Sequence, residues 1–260
     1  MQFGVCGGSE LAPVAAEAGF DYLEGSVAGC LKPREPDAVF DAELPALRAL
    51  ALPLKAVNCF LPGDLKISGP EAVPEAARAY ACTALRRAAQ AGIETIVFGS
   101  GGARRCPEGW EPGRAFEQVA VFLRGIAPVA ESCGITIVVE PLRSKECNLV
   151  TTVARGAELA RAAGSSHVRL LVDGFHWAME QDSGADIAAN GALLRHAHLA
   201  TLPNRLAPGG EDYDFGPFFR ALRRAGYDGR VSIEGRFEPT SAVLARALAL
   251  LRQAQAASAA

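Results

Sequence analysis

The chain has 260 residues, half of them hydrophobic, enough to bury a large core in a single domain over residues 1–260. With 26 basic and 29 acidic residues the net charge is −3, so there is no positive excess to neutralise a phosphate backbone, and nucleic acid is excluded as an expected partner. The seven cysteines are scattered without a CxxC pair, which fits reduced thiols in a cytoplasmic protein better than a disulfide framework.

In chain order, short apolar runs alternate with longer amphipathic ones, the pattern of successive strand and helix pairs. The predicted strands are "QFGVCG" from Gln2, "YLEGSV" from Tyr22, "LKAVNCF" from Leu54 and "TIVFGS" from Thr95, followed by "TIVVEPL" from Thr136, "VRLLVDGF" from Val168, "LRHAHLA" from Leu194 and "RVSIEGRF" from Arg230. Helical segments such as "EAARAYACTALRRAAQAG" lie between them. Gly19, Gly92, Gly134, Gly164 and Gly226 stand just ahead of strands, where a helix stops in the left-handed conformation. Eight such units predict a (β/α)8 TIM barrel, with an open doubly wound sheet as the competing architecture. The first strand begins directly after Met1 with no basic and apolar leader, and no run reaches the roughly 20 apolar residues of a membrane span. No membrane partner is expected.

In such a barrel the C-terminal ends of the strands converge on one face, where the loops build the site. The fifth predicted strand ends at Glu140, the sixth at Asp173, the seventh near His198 and the eighth at Glu234. Three carboxylates gathered in a partly buried mouth repel one another unless a cation offsets them. Three oxygen donors and one imidazole favour Mn²⁺, Mg²⁺ or Co²⁺, with Zn²⁺ open, over a thiolate-rich structural zinc site. Taken singly each residue has a structural explanation: a salt bridge for either glutamate, a helix cap for Asp173, a hydrogen-bonded core position for His198. Four at equivalent ends of consecutive strands favour the metal. His196, two residues before His198 on the same strand face and deeper, reads as core packing. Glu24 in "YLEGS" reads as a supporting or substrate contact.

The segments "VVEPLRSKECN", "LLVDGFHW", "HAHLATLPNRLAPGGEDYDF" and "GYDGRVSIEGR" together resemble the xylose isomerase-like TIM barrels, in particular their sugar epimerase and isomerase branch. The resemblance implies one divalent metal held by Glu140, Asp173, His198 and Glu234, with Glu140 and Glu234 also serving as the catalytic acid/base pair. It further implies that Glu146, His176 and Arg205 bind the hydroxyl and carbonyl oxygens of a sugar or sugar phosphate, and that the protein forms a dimer or tetramer. The implied chemistry is epimerisation or isomerisation through a cis-enediolate. A dehydratase of the inosose dehydratase type would use the same metal and base, a non-catalytic sugar-binding barrel would keep the fold alone, and an endonuclease-like phosphodiesterase would need more histidines than the four present.

Three further features have two readings each. The loop of residues 99–110, "GSGGARRCPEGW", is either a clasp for a sugar phosphate or a solvated loop. Cys59, Phe60 and Leu61 after the third strand either wall a substrate pocket or pack. Trp110 and Trp177 likewise are pocket walls or core.

Overall fold

The computed structural model describes residues 1–258. Eight parallel strands close into a barrel in sequential order, which settles the architecture in favour of the (β/α)8 barrel over the open sheet. They are β1 (Gln2–Cys6), β2 (Tyr22–Ser26), β3 (Leu54–Asn58), β4 (Thr95–Phe98), β5 (Thr136–Val139), β6 (Val168–Asp173), β7 (Leu194–Leu199) and β8 (Arg230–Ile233). Each of the eight apolar runs is a strand, because each is short, bounded by turn residues and sealed from water by helices on its outer side.

The helices start and stop where side chains can satisfy their ends. Pro112–Ser132 opens with the Glu111 carboxylate accepting from the backbone N–H groups of Gly113 and Arg114, at 2.8 and 2.6 Å. Its buried face, which includes Ala115, Val119, Leu123, Ile126 and Ala130, repeats at helical spacing. Pro74–Ala91 ends at Gly92, whose φ of 76° is the left-handed stop expected from the sequence. The other four glycines in equivalent positions also have positive φ. Among the described residues, no helix is long and apolar enough to cross a membrane.

The barrel interior has two unlike halves. Val97, Val138 and Leu171, from β4, β5 and β6, form a small apolar cluster of fully buried side chains separate from the main core. On the other side Tyr22, Glu24, His196, His198 and Ser232 are buried too, although they are polar. Strand pairing explains how a tyrosine fits there. Gly4 of β1 lies between Tyr22 of β2 and Ser232 of β8 in register, and a Cβ on Gly4 would overlap the Tyr22 ring. The missing side chain lets Tyr22 cross β1 and place its hydroxyl 2.8 Å from Ser232 Oγ.

Candidate metal centre at the barrel mouth

Register puts the ends of β5 to β8 side by side. His198 is paired with Asp173 on one side and Ser232 on the other. Glu140 and Glu234 each stand one residue past their strands and still continue the ladder, through Glu140 N–H to Phe98 O at 3.2 Å and Glu234 N–H to Leu199 O at 3.0 Å. One ligand atom from each of Glu140, Asp173, His198 and Glu234 falls within 4.8 Å of the others.

Each member of the cluster is held from outside it. Asp173 both caps a helix and faces the cluster: Oδ1 accepts from Phe175 N–H at 2.9 Å, opening the helix Gly174–Met179, while Oδ2 stands 3.3 Å from Arg205 Nη2. His198 turns Nε2 toward Glu24, at 2.9 Å, and Nδ1 toward Glu234 Oε2 and Glu140 Oε1, at 3.3 and 3.5 Å. Glu234 accepts from Arg205 Nη2 at 2.5 Å and from Asn58 Nδ2 at 3.4 Å. Gly99 makes room for Glu140, since a Cβ there would overlap Oε2.

The electrostatics call for positive charge at this point. Burial, with the charge of Glu234 beside it, raises the Glu140 carboxyl above the usual range. Burial would raise Glu234 as well, but His198 and Arg205 outweigh it and hold that carboxyl low. His198 shows the mirror effect: burial opposes its charge, yet Glu24 and Glu234 push the imidazole well above its ordinary value. A proton on His198, the Arg205 guanidinium and a metal ion are alternative answers to the same negative field. Two buried atoms of the cluster, His198 Nδ1 and Glu140 Oε1, have no hydrogen-bond partner among the described residues. Unpartnered polar atoms that converge this closely, three of the four donors being carboxylates, fit a divalent cation.

Residues 12–254 match the xylose isomerase-like TIM barrel family. The chain belongs to that family. Within it, this xylose isomerase-like barrel is 33% identical over 120 residues to a D-psicose 3-epimerase of Ruminiclostridium cellulolyticum, a match covering 46% of this chain and 41% of that one. A putative hydroxypyruvate isomerase of Streptomyces coelicolor is 27% identical over 243 residues, covering 85% and 82% of the two chains. Among solved structures, a D-psicose 3-epimerase in the presence of D-fructose superposes with a TM-score of 0.84 at 22% identity, over 98% of this chain and 99% of that one. The sequence match thus spans less than half the length of the first of these relatives, whereas the fold match is nearly complete.

Around the mouth of this xylose isomerase-like barrel the structure gathers the other three candidate residues. The helix opened by Asp173 carries His176, which is buried with Nε2 3.5 Å from Asp173 Oδ2 and 3.9 Å from Glu146 Oε2, and neither ring nitrogen has a hydrogen-bond partner among the described residues. Glu146 is steadied by Arg143 Nε at 2.6 Å and lies 3.7 Å from Arg205 Nη1. Arg143 and Arg205 both stack on the ring of Phe175, at 5.0 and 4.9 Å from its centroid, a stacking contact that helps orient Arg205. The fourth histidine, His167, lies ahead of β6, at the other end of that strand from Asp173, and bonds the carbonyl of Ile135 at 2.9 Å.

The two arginines of residues 99–110 have different surroundings, Arg105 remaining exposed while Arg104 is enclosed. Arg104 is fully buried, donates to the backbone carbonyl of Glu140 and lies 5.3 Å over the Phe98 ring. Arg105 donates to Glu146 O at 3.3 Å. Both therefore brace the loop that follows β5. Trp177 packs on Phe218 and Trp110 lies beneath Arg114, and both partly buried rings rest against the main core. Asn58, which ends β3, joins the site although the sequence offers no sign of it beyond its place at a strand end.

Cys59 follows Asn58 with a φ of 54° and its residue reaches the surface at the mouth. Crowding around the thiol, then the charges of Glu234 and Glu140, push its pKa up to about 11. Iodoacetamide at pH 8 is expected to alkylate Cys59 roughly 10²-fold more slowly than a free thiol of ordinary acidity. Peptide mass spectrometry after timed labelling reads this directly, and labelling at the free-thiol rate would contradict it.

Proposed function

We propose that the chain is a metal-dependent epimerase or isomerase acting on a ketose, a sugar phosphate or a small hydroxy-carbonyl compound. The observation that carries this reading is the convergence of two glutamates, an aspartate and an imidazole, with His198 Nδ1 and Glu140 Oε1 unpartnered, on one point at the barrel mouth. Relatives named as a psicose epimerase and a hydroxypyruvate isomerase support the substrate class.

Glu140, Asp173, His198 and Glu234 would hold the ion, and their hard donors suit Mn²⁺, Mg²⁺ or Co²⁺. When bound, a divalent cation supplies Lewis acidity to the oxygens of a carbonyl and its neighbouring hydroxyl. The chain's own groups move the proton. Glu140 follows β5 and Glu234 follows β8, three strands away around the ring, so the two carboxylates approach from different sides. One carboxylate takes the proton from the carbon beside the carbonyl, leaving a planar enediolate. Return of a proton by the other carboxylate on the opposite face inverts that carbon, and return to the adjacent carbon isomerises the substrate. His176, Glu146 and Arg205 ring the same point and hold the substrate's hydroxyl and carbonyl oxygens. All seven cysteines are free thiols, which supports assignment to the reducing cytoplasm.

The test is a panel of ketoses, ketose phosphates and hydroxypyruvate incubated with the Mn²⁺-loaded protein in deuterated water and followed by NMR. Deuterium appearing at a carbon beside the carbonyl, with an epimer or isomer as product, is the expected result. Loss of a hydroxyl from the product would instead identify a dehydratase, and a loaded protein that exchanges no proton in any substrate would overturn the reading.

Gly99→Ala probes the same site from beneath. The clash falls on the far end of the Glu140 side chain, which can swing away, so the fold is expected to survive with Tm within a few degrees of wild type. Affinity for Mn²⁺ is expected to fall by about 10- to 100-fold, the range for disturbing groups that orient a metal ligand. Unchanged affinity by calorimetry would show that Glu140 does not need that space.

A further inference from the structure

Below the cluster lies a buried polar chain that the proton transfers above do not use. Glu24 Oε1 meets His198 Nε2 at 2.9 Å. Glu24 Oε2 meets His196 Nε2 at 2.7 Å and Ser232 Oγ at 2.6 Å. Tyr22 OH then meets Ser232 Oγ at 2.8 Å, by way of the space left at Gly4. Glu24 sits on β2 and the two histidines on β7, with β1 and β8 between them, so these bonds cross the barrel interior.

Counting donors and acceptors fixes the direction of each bond. An ionised carboxylate only accepts, so Ser232 gives its hydrogen to Glu24 and Tyr22 gives its own to Ser232. Both histidines must likewise carry hydrogen on Nε2. A neutral imidazole with hydrogen on Nε2 has its lone pair on Nδ1. In His198 that nitrogen is the one aimed at Glu140 and Glu234.

We infer that Glu24 is a positioning residue: by accepting from His198 Nε2 it selects the tautomer and aims the ring so that the Nδ1 lone pair faces the four-donor cluster. Glu24 itself touches neither substrate nor metal in this scheme. Tyr22, Ser232 and His196 in turn hold the Glu24 carboxylate in place. The importance of this arrangement for metal binding rests on the reading under Proposed function, whereas the tautomer of the neutral ring follows from its bond to an ionised Glu24.

The two oxygens of Glu24 have different loads, and this gives the substitution Glu24→Gln a definite outcome. The oxygen facing His196 and Ser232 accepts two hydrogens, so the amide carbonyl takes that place and the NH₂ turns to His198. His198 Nε2 must then accept, the ring hydrogen moves to Nδ1, and an N–H points into the cluster where a lone pair is needed.

The experiment is two-bond ¹⁵N–¹H correlation on histidine-labelled protein without metal, at a pH high enough to leave the ring neutral, alongside Mn²⁺ titration by calorimetry. Wild type is expected to show His198 with hydrogen on Nε2, and Glu24→Gln to show it on Nδ1 with Mn²⁺ affinity lowered by about 10- to 100-fold. A general loss of packing would not exchange one tautomer for the other. Wild-type His198 with hydrogen on Nδ1 overturns the inference, and this measurement needs no variant to fold. So does a folded Glu24→Gln protein that keeps the hydrogen on Nε2. A wild type with the expected tautomer that binds no divalent metal would remove the reading under Proposed function and leave the positioning role of Glu24 standing.

Discussion

Glu140→Gln and Glu234→Gln are each expected to lower turnover by about 10²- to 10⁴-fold, the usual contribution of a positioned acid or base. Each change keeps the side chain's shape and removes its capacity to take a proton. The two variants should differ in a way that packing cannot imitate. If the carboxylates serve opposite faces of the enediolate, a variant lacking one of them can still exchange a proton on the other face. Each variant would then wash deuterium into one epimer only, without converting it to the other. Because both residues also face the proposed ion, metal content must be measured beside activity. A metal-loaded variant that interconverts both epimers within tenfold of the wild-type rate would end the assignment of that glutamate.

Removal of the metal is expected to abolish turnover, and added Mn²⁺, Co²⁺ or Mg²⁺ to restore it. The physical reason is the concentration of negative charge: Glu140, Asp173 and Glu234 bring carboxylates to within 4.8 Å of one another at a largely buried position. Arg205 relieves part of this repulsion through Glu234 Oε2 and Asp173 Oδ2, at 2.5 and 3.3 Å, but Glu140 receives no such contact from it. An ion that binds only the folded chain adds about 3 kcal/mol at a hundred times its dissociation constant, which corresponds to roughly 5–10 °C in Tm for a chain of this size. Thermal melts in chelator and in millimolar Mn²⁺ check the stability arm, and the NMR assay checks the activity arm. Equal melting temperatures and equal turnover in both conditions would sink the proposal of a metal centre.

The barrel was legible in the sequence because its grammar is local. Each strand is a short apolar run with a glycine ahead of it or polar punctuation behind it, and Gly92 could be read as a stop without knowing what it packs against. The polar residues at strand ends stood out for the same reason, since an acid closing an apolar run is visible within six residues. Contacts across the interior were not legible. Glu24 and His198 are 174 positions apart, and only ring closure brings β2 opposite β7. His196 is buried, as its position on the strand suggested, yet it also bonds Glu24, which apolar patterning could not reveal. Arg104 and Arg105 could not be told apart in the sequence. Adjacent arginines in a glycine-rich loop look like an anion clasp, but the helical turn Gly101–Arg104 buries the first of them under Glu140.

Asp173 carries a mechanical consequence. Its two oxygens look in different directions, one anchoring the start of Gly174–Met179 and the other facing the cluster. His176 rides on that same single turn and a half, so under the proposed roles the imidazole meant for the substrate could not drift without pulling on the carboxylate meant for the cation. If those roles hold, recognition and reactivity share one short lever. A substitution that shifts the start of Gly174–Met179 would therefore move His176 and Asp173 together.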